Sequence, residues 1–284
     1  MPYIKWSLLF IILHNTFLHL DVYNEFSYSV LYTFHDYIKQ TAKAVVMTDY
    51  ELLIRPFWFI KELLLTSLIV ATISLCRNHF FLRISNEMLF IIIFLITIIS
   101  KYYNIDLPIV GNCSVLFFSS VYFYAGILYR KYESKIPSTI IMTIATFSIS
   151  LFGSLYFIGV MDMRYTTVSN ITPYFMLSIS GIIFTFNLSK KIDNLPIRTN
   201  LYYIGNHTLP ILALNLLALK VGNLLKIWIY SLPMKMLSSY TVIYEYNELF
   251  WLFYSIIGIS APLLANEIYN KIVQKKKFNN LFNG

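Results

Sequence analysis

The stretch Arg55 to Cys76, RPFWFIKELLLTSLIVATISLC, constrains this chain more than any other. From Leu63 to Cys76 it carries no charge. At about 1.5 Å per residue its length makes a rod of roughly 33 Å, enough for the hydrocarbon core of a bilayer. Its first turns hold Arg55, Lys61 and Glu62 beside Phe57, Trp58 and Phe59. A charge inside such a rod is costly and marks function or a paired partner. Arg55, Trp58 and Glu62 fall at i, i+3 and i+7, which predicts one shared helix face leaning into a polar cavity. The alternative makes Arg55 and Trp58 interfacial anchors and lets Lys61 snorkel. Glu62 lies too deep to be such an anchor.

Composition extends this reading to the whole chain. Of 284 residues, 57% are apolar and 13% charged, against about 25% charged in soluble domains. The pattern predicts an all-α, polytopic membrane helix bundle forming a single membrane domain over 1–284. Eight spans are expected: Tyr3–Leu20, Arg55–Cys76, Glu87–Tyr102, Cys113–Tyr129, Pro137–Phe157, Pro173–Leu188, Leu201–Leu224 and Glu248–Tyr269. The first has no basic lead-in and no small-residue cleavage site, so it does not read as a signal peptide. Twelve Lys and Arg follow the even-numbered spans, among them Arg77, Arg83, Arg130, Lys131, Lys190 and Lys271, and only five follow the odd-numbered ones. The positive-inside rule then places both termini in the cytoplasm, with 270–284 as a basic cytoplasmic tail. Loop 21–54 is extracytoplasmic. Within it HDYIKQTAKAVV suggests a short helix on the membrane surface or capping a cavity, an ordinary polar loop being the alternative.

A net charge of +8 is accounted for by such loops and implies no nucleic acid. Two cysteines, Cys76 and Cys113, make neither a disulfide framework nor a metal site. Nucleotide-binding, nucleophile-elbow and zinc-protease motifs do not occur. The candidate functional residues are therefore polar groups inside spans: His14, Asn15, Glu62, His207 and Asn215, with Lys220 closing its span. A lone intramembrane His or Asn is often only a helix–helix hydrogen bond. The expectation of a site comes from several such groups on separate spans meeting at one hollow.

Five segments, in order, resemble the membrane acyltransferase 3 family: PYIKWSLLFIILHN, FWFIKELL, SSVYFYAGILYRKY, YIGNHTLPILALNLLALK and WLFYSIIGISAPLL. Their order carries the resemblance more than any single motif. It implies an integral membrane enzyme of a bacterial inner membrane that O-acylates, most simply O-acetylates, a hydroxyl of a cell-surface glycan. Acetyl-CoA or another acyl-CoA would be the donor, entering from the cytoplasm, and no metal is implied. His14, Glu62 and His207, polar groups inside spans, are the remaining catalytic candidates, and neither histidine matches the position of the family's own. Arg55, Trp58, Asn15, Asn215 and Lys220 become substrate-binding candidates. Two departures stand out. The family begins with two further helices, carrying a histidine taken as catalytic and an arginine, whereas this sequence opens at Met1-Pro2-Tyr3 within the family's lead-in. The expectation is an N-terminally truncated fragment without the family's catalytic histidine. Asn215 stands where many members carry His, and Asn does not titrate as a base. A carrier or flippase for polysaccharide precursors is the alternative reading, although no repeated pair of interrupted spans supports it.

Overall fold

Hydrocarbon offers no hydrogen bonds to a bare backbone, so long apolar segments in a bilayer fold as helices that satisfy themselves. The computed structural model follows this rule. It describes residues 2–23, 30–48, 51–79, 84–107, 111–156, 163–246 and 250–282, with the backbone alone at 2, 78–79 and 273–282. Arg83, Phe157 and Glu248, used in the sequence reading, lie outside the described residues. The helices are α1 (Pro2–His19), α2 (Phe34–Val46), α3 (Trp58–His79), α4 (Asn86–Tyr102), α5 (Cys113–Tyr132), α6 (Ile140–Tyr156), α7 (Ile171–Ile192), α8 (Arg198–Asn206), α9 (Thr208–Tyr230) and α10 (Phe250–Phe282). A two-residue antiparallel pair, Asp106–Leu107 with Gly111–Asn112, joins α4 to α5.

Among the described residues five helices are long and apolar enough to cross a membrane: Leu52–Arg77, Cys113–Lys135, Ile171–Ile192, Thr208–Tyr230 and Phe250–Ile272. The protein is an all-α membrane helix bundle. Large apolar side chains on the outward faces, such as Leu75, Ile141, Phe152 and Ile256, are exposed, as lipid contact requires and water would not favour.

The sequence reads as one domain, but the contacts gather into two compact units: Met1–Trp58 with Thr199–Gly284, and Phe59–Arg198. In the first, α2 runs back along α1. Asn15 Nδ2 donates to Tyr32 O at 3.1 Å and Asn15 Oδ1 accepts from Tyr32 N at 2.8 Å. At the other end Tyr3 donates its hydroxyl to Ala44 O at 2.9 Å. These two clasps lay the predicted surface helix lengthwise on α1. Thr33 begins it with a reciprocal capping box to Asp36. The Thr33 hydroxyl and N–H both donate to Asp36, which holds that exposed carboxyl below its ordinary pKa.

A 3-10 turn, Leu52–Phe57, follows, with Leu52, Leu53, Ile54 and Phe57 almost wholly buried against α9 and α1. Pro56 explains the turn: proline disfavours α geometry at the residue before it, here Arg55. The long helix therefore starts at Trp58, three residues later than expected. The predicted span Leu201–Leu224 is also two helices, α8 and α9, with His207 at the break.

Helices α9 and α10 close the first unit. Gly222 faces Tyr254 so tightly that a Cβ there would sit 2.7 Å from the ring. Three α9 side chains then hold the chain beyond the helix. Lys220 Nζ donates to Leu237 O at 2.9 Å and to Ser239 O. Asn223 Nδ2 donates to Thr241 O at 3.3 Å, and Lys226 Nζ to Ile243 O at 2.7 Å.

The second unit packs Val70, Leu89, Ile93, Phe118, Val121, Tyr124, Ile171 and Phe175 into one core. Helices α4 and α5 pair closely, as do α6 and α7. Phe175 lies at the aromatic centre, 5.8 Å from Phe90, 5.5 Å from Phe94 and 5.5 Å from Tyr122 between ring centroids.

Gly222→Ala is expected to cost about 1–3 kcal/mol through overpacking against Tyr254, read as a lower melting temperature of the purified chain in detergent. Thr33→Ala should remove an N-cap and cost α2 about 1 kcal/mol, read as faster amide exchange in its first turn. Because the folded Asp36 pKa is depressed, its support for α2 is present above the unfolded carboxyl pKa of about 3.9 and is lost as pH falls through the lower folded value. Amide protection of α2 should therefore hold at pH 6 and decline at pH 3.

Candidate functional site

Phe10, His14 and Phe17 lie on one face of α1 at helical spacing. All three are buried, His14 with no exposed surface at all. The chain returning through the turn before α3 brings Glu51 to this face, 5% exposed. His14 Nδ1 lies 3.2 Å from Glu51 Oε2. Tyr23 donates its hydroxyl to the same oxygen at 3.3 Å, and Tyr32 donates to Oε1 at 2.7 Å. Both carboxylate oxygens are thus occupied by donors.

Rings close the cluster. His14 stacks on Tyr32 with centroids 3.5 Å apart and planes within 3°. Tyr23 lies 5.1 Å from His14 and 5.6 Å from Phe17. Asn15 fixes this arrangement by clasping the Tyr32 backbone, so one pair of adjacent α1 residues positions both the stacking ring and the acid's second donor. The other ring nitrogen, Nε2, faces the Val30 carbonyl at 3.4 Å.

Such a cluster can do two things. A carboxylate at Nδ1 sets the tautomer and orientation of an imidazole and supports positive charge on it, leaving Nε2 to exchange a proton. It also ties three separate stretches, at His14, Tyr23–Tyr32 and Glu51, into one buried network. Removing a single member leaves the others desolvated and unpaired, which is the costly case.

The remaining sequence candidates take other positions. Arg55 is exposed and stacks over Tyr240 at 5.5 Å, while Trp58 is half-buried. Since Arg55 lies in the 3-10 turn, the expected common helix face of Arg55, Trp58 and Glu62 is not formed; Glu62 moreover belongs to the second unit. There its Oε2 is buried without a hydrogen-bond partner among the described residues, as is Thr66 Oγ1 one turn on. His207 is half-exposed at the α8–α9 break, with Nδ1 2.8 Å from Tyr203 O, and Tyr203 donates to Glu267 at 3.1 Å. Asn215 is half-buried against α10, where a Cβ on Gly258 would lie 3.6 Å from its Nδ2. Lys220, 2% exposed, is engaged with backbone carbonyls.

No His, Cys, Asp or Glu group among the described residues has the makings of a metal site. Cys76 and Cys113 are both free thiols. Compared with family models, curated proteins and solved structures, the chain matches none.

Glu51, Tyr23 and Tyr32 escaped the sequence reading because they lie between spans rather than within them. The available signal was a lone acid directly before the apolar run LLI, joined to a proline-led helix start. Lys226, just beyond the expected span Leu201–Leu224, escaped for the same reason, whereas Asn223 lies inside that span and was not singled out.

Glu51→Gln presents an amide donor to groups that already donate. It should destabilise the first unit by about 1–3 kcal/mol, the cost of leaving a buried hydrogen-bonding group unsatisfied. His14→Gln combined with Glu51→Gln should cost less than the two single changes added together. Thermal unfolding of the three variants in one detergent checks both outcomes.

Proposed function

We propose that this chain is an integral membrane acyltransferase-like protein, transferring an acyl group from a CoA thioester to a hydroxyl of a cell-surface glycan, with His14 as general base and Glu51 as its orienting carboxylate. The observation that carries the reading is the His14–Glu51 contact of 3.2 Å with Tyr23 and Tyr32 on the same carboxylate. It has the logic of an acyl-transfer base: a carboxylate holds one ring nitrogen and so orients the other. The five segments that resemble the acyltransferase 3 family lend it further support.

In this reading Nε2 removes the proton of the acceptor hydroxyl. The alkoxide oxygen forms a bond to the thioester carbonyl carbon, the carbon–sulfur bond breaks, and the departing thiolate takes the proton back from the imidazolium. The Val30 carbonyl occupies the direction from which the hydroxyl must come, so Val30 turns aside on binding while Tyr32 stays on Glu51. Arg55 and Trp58 supply the charged donor and flat ring that sugars use, with Asn215 as a secondary binding group, while Asn15 and Lys220 are engaged with backbone. The chain crosses a bacterial inner membrane eight times with both ends cytoplasmic. This topology rests on the alternation of Lys and Arg between loops and on a helix at each of the eight expected places.

The test is acyl content of surface polysaccharide in cells carrying the gene, lacking it, or carrying His14→Gln or Glu51→Gln, with membrane levels of each variant matched. Loss of the base should lower acetyl-CoA-dependent O-acetylation by about 10²–10⁴-fold. Unchanged acetylation in the gene's absence overturns the reading. Loss of the whole polymer with unchanged acetylation per sugar makes the protein a carrier.

A further inference from the structure

The second unit contains a cavity that the proposed chemistry does not use. It has a volume of about 560 Å³ and lies among α4, α5 and α7, lined by Phe90, Tyr122, Phe175, Ile179, Ile183 and Phe186 with Gly126 between them. Such a volume is in the range of sites that take small molecules. Its long walls run from Tyr122 to Tyr132 on α5 and from Phe175 to Phe186 on α7, about 15 Å each at helical rise. Apart from the Tyr122 and Tyr129 hydroxyls, the side chains on these walls are apolar along that length.

One end of the cavity differs. Tyr132, which lines it there, donates its hydroxyl to Glu87 Oε1 at 2.8 Å, and Lys131 pairs with the same oxygen at 2.5 Å. Lys190 pairs with Glu133 at 2.7 Å. These two lysines are thus matched by two carboxylates. Lys135, one residue from the lining Ile136, stands over the Tyr132 ring at 5.6 Å and has no carboxylate partner among the described residues. The cavity is therefore a slot with a greasy length and a cationic mouth.

We propose that this slot binds one acyl chain of an anionic membrane phospholipid, with the phosphate of its headgroup at Lys135 beside Tyr132. The shape calls for a long apolar chain, and the mouth calls for a negative group within reach of Lys135 and its paired neighbours. The helices that form it are membrane-spanning, so the bilayer's own phospholipids meet it at far higher concentration than any other ligand with a chain and a phosphate. The proposal does not depend on the acyltransferase reading, and each fails independently of the other.

Gly126 gives the test a clean handle. It lines the slot, and a Cβ placed on it meets nothing within 4 Å, so a larger side chain there enters empty space. The full chain is placed in phosphatidylcholine nanodiscs containing phosphatidylglycerol with a photoreactive group at the end of one chain. After illumination, labelled peptides are mapped by mass spectrometry. Label should concentrate on the slot-lining residues of α5 and α7 and fall at least tenfold in Gly126→Trp, while label on the outward face of α6 stays constant. Gly126→Leu, with the same melting temperature as the parent, should give an intermediate loss. Lys135→Glu should reduce labelling by the phosphatidylglycerol probe several-fold more than labelling by a phosphatidylcholine probe. Unlabelled phosphatidylglycerol should compete. Labelling spread evenly over the outward faces and indifferent to Gly126→Trp and Gly126→Leu overturns the proposal. So does competition by a polyprenyl phosphate alone, which makes the slot a site for a lipid-linked precursor instead.

Discussion

A polar group withdrawn from water must find its partner within the protein, and the first unit is arranged around that demand. Glu51 is the strongest instance. Its two oxygens take a histidine and two tyrosines drawn from a helix and from the chain on either side of residues 24–29. The carboxylate needs these donors to remain buried, and the donors need it in turn. Their mutual requirement fixes where the chain returns after α2 and hence where the 3-10 turn enters. The same demand operates at α9, where Lys220, Asn223 and Lys226 cover carbonyls of residues 237–243 that no regular ladder satisfies. Tyr254 completes that arrangement by donating to Asn223 Oδ1 at 2.7 Å. Buried lysines in this setting act as cross-links between a helix and an irregular strand.

This arrangement separates roles that look alike in a list of intramembrane polar residues. Lys220 and Lys226 are engaged with backbone carbonyls and hold shape. Asn15 clasps one peptide unit and sets register. His14 differs in that its second nitrogen faces the Val30 carbonyl at 3.4 Å, a long contact for a hydrogen bond. The proposed proton transfer is assigned to it.

Much of the architecture was legible because hydrocarbon imposes a simple rule on sequence. Runs such as Cys113–Tyr129 and Pro173–Leu188 showed their helices through length and apolarity, and the structure places helices at Cys113–Tyr132 and Ile171–Ile192. The misses are local and have causes. Pro56 turned the start of a helix into a 3-10 turn, which removed Arg55 from the face assigned to it. His207, with φ near −107° and ψ near 20°, interrupts a run that hydropathy alone reads as continuous. For the site, periodicity pointed to His14 and Asn15 but not to their partners. Glu51, Tyr23 and Tyr32 are brought to His14 by chain return, and no spacing rule encodes that.

The account stands on His14 and Glu51 being in contact within a dry protein interior. Solid-state NMR of the chain in bilayers, with labelled histidine and glutamate and His14 assigned by difference, measures this directly. The structure predicts a through-space correlation between His14 Nδ1 and the Glu51 carboxyl carbon, with a ring proton that resists exchange into heavy water while the exposed His19 and His35 exchange at once. A His14 ring that shows no such correlation and exchanges as fast as His35 contradicts the account.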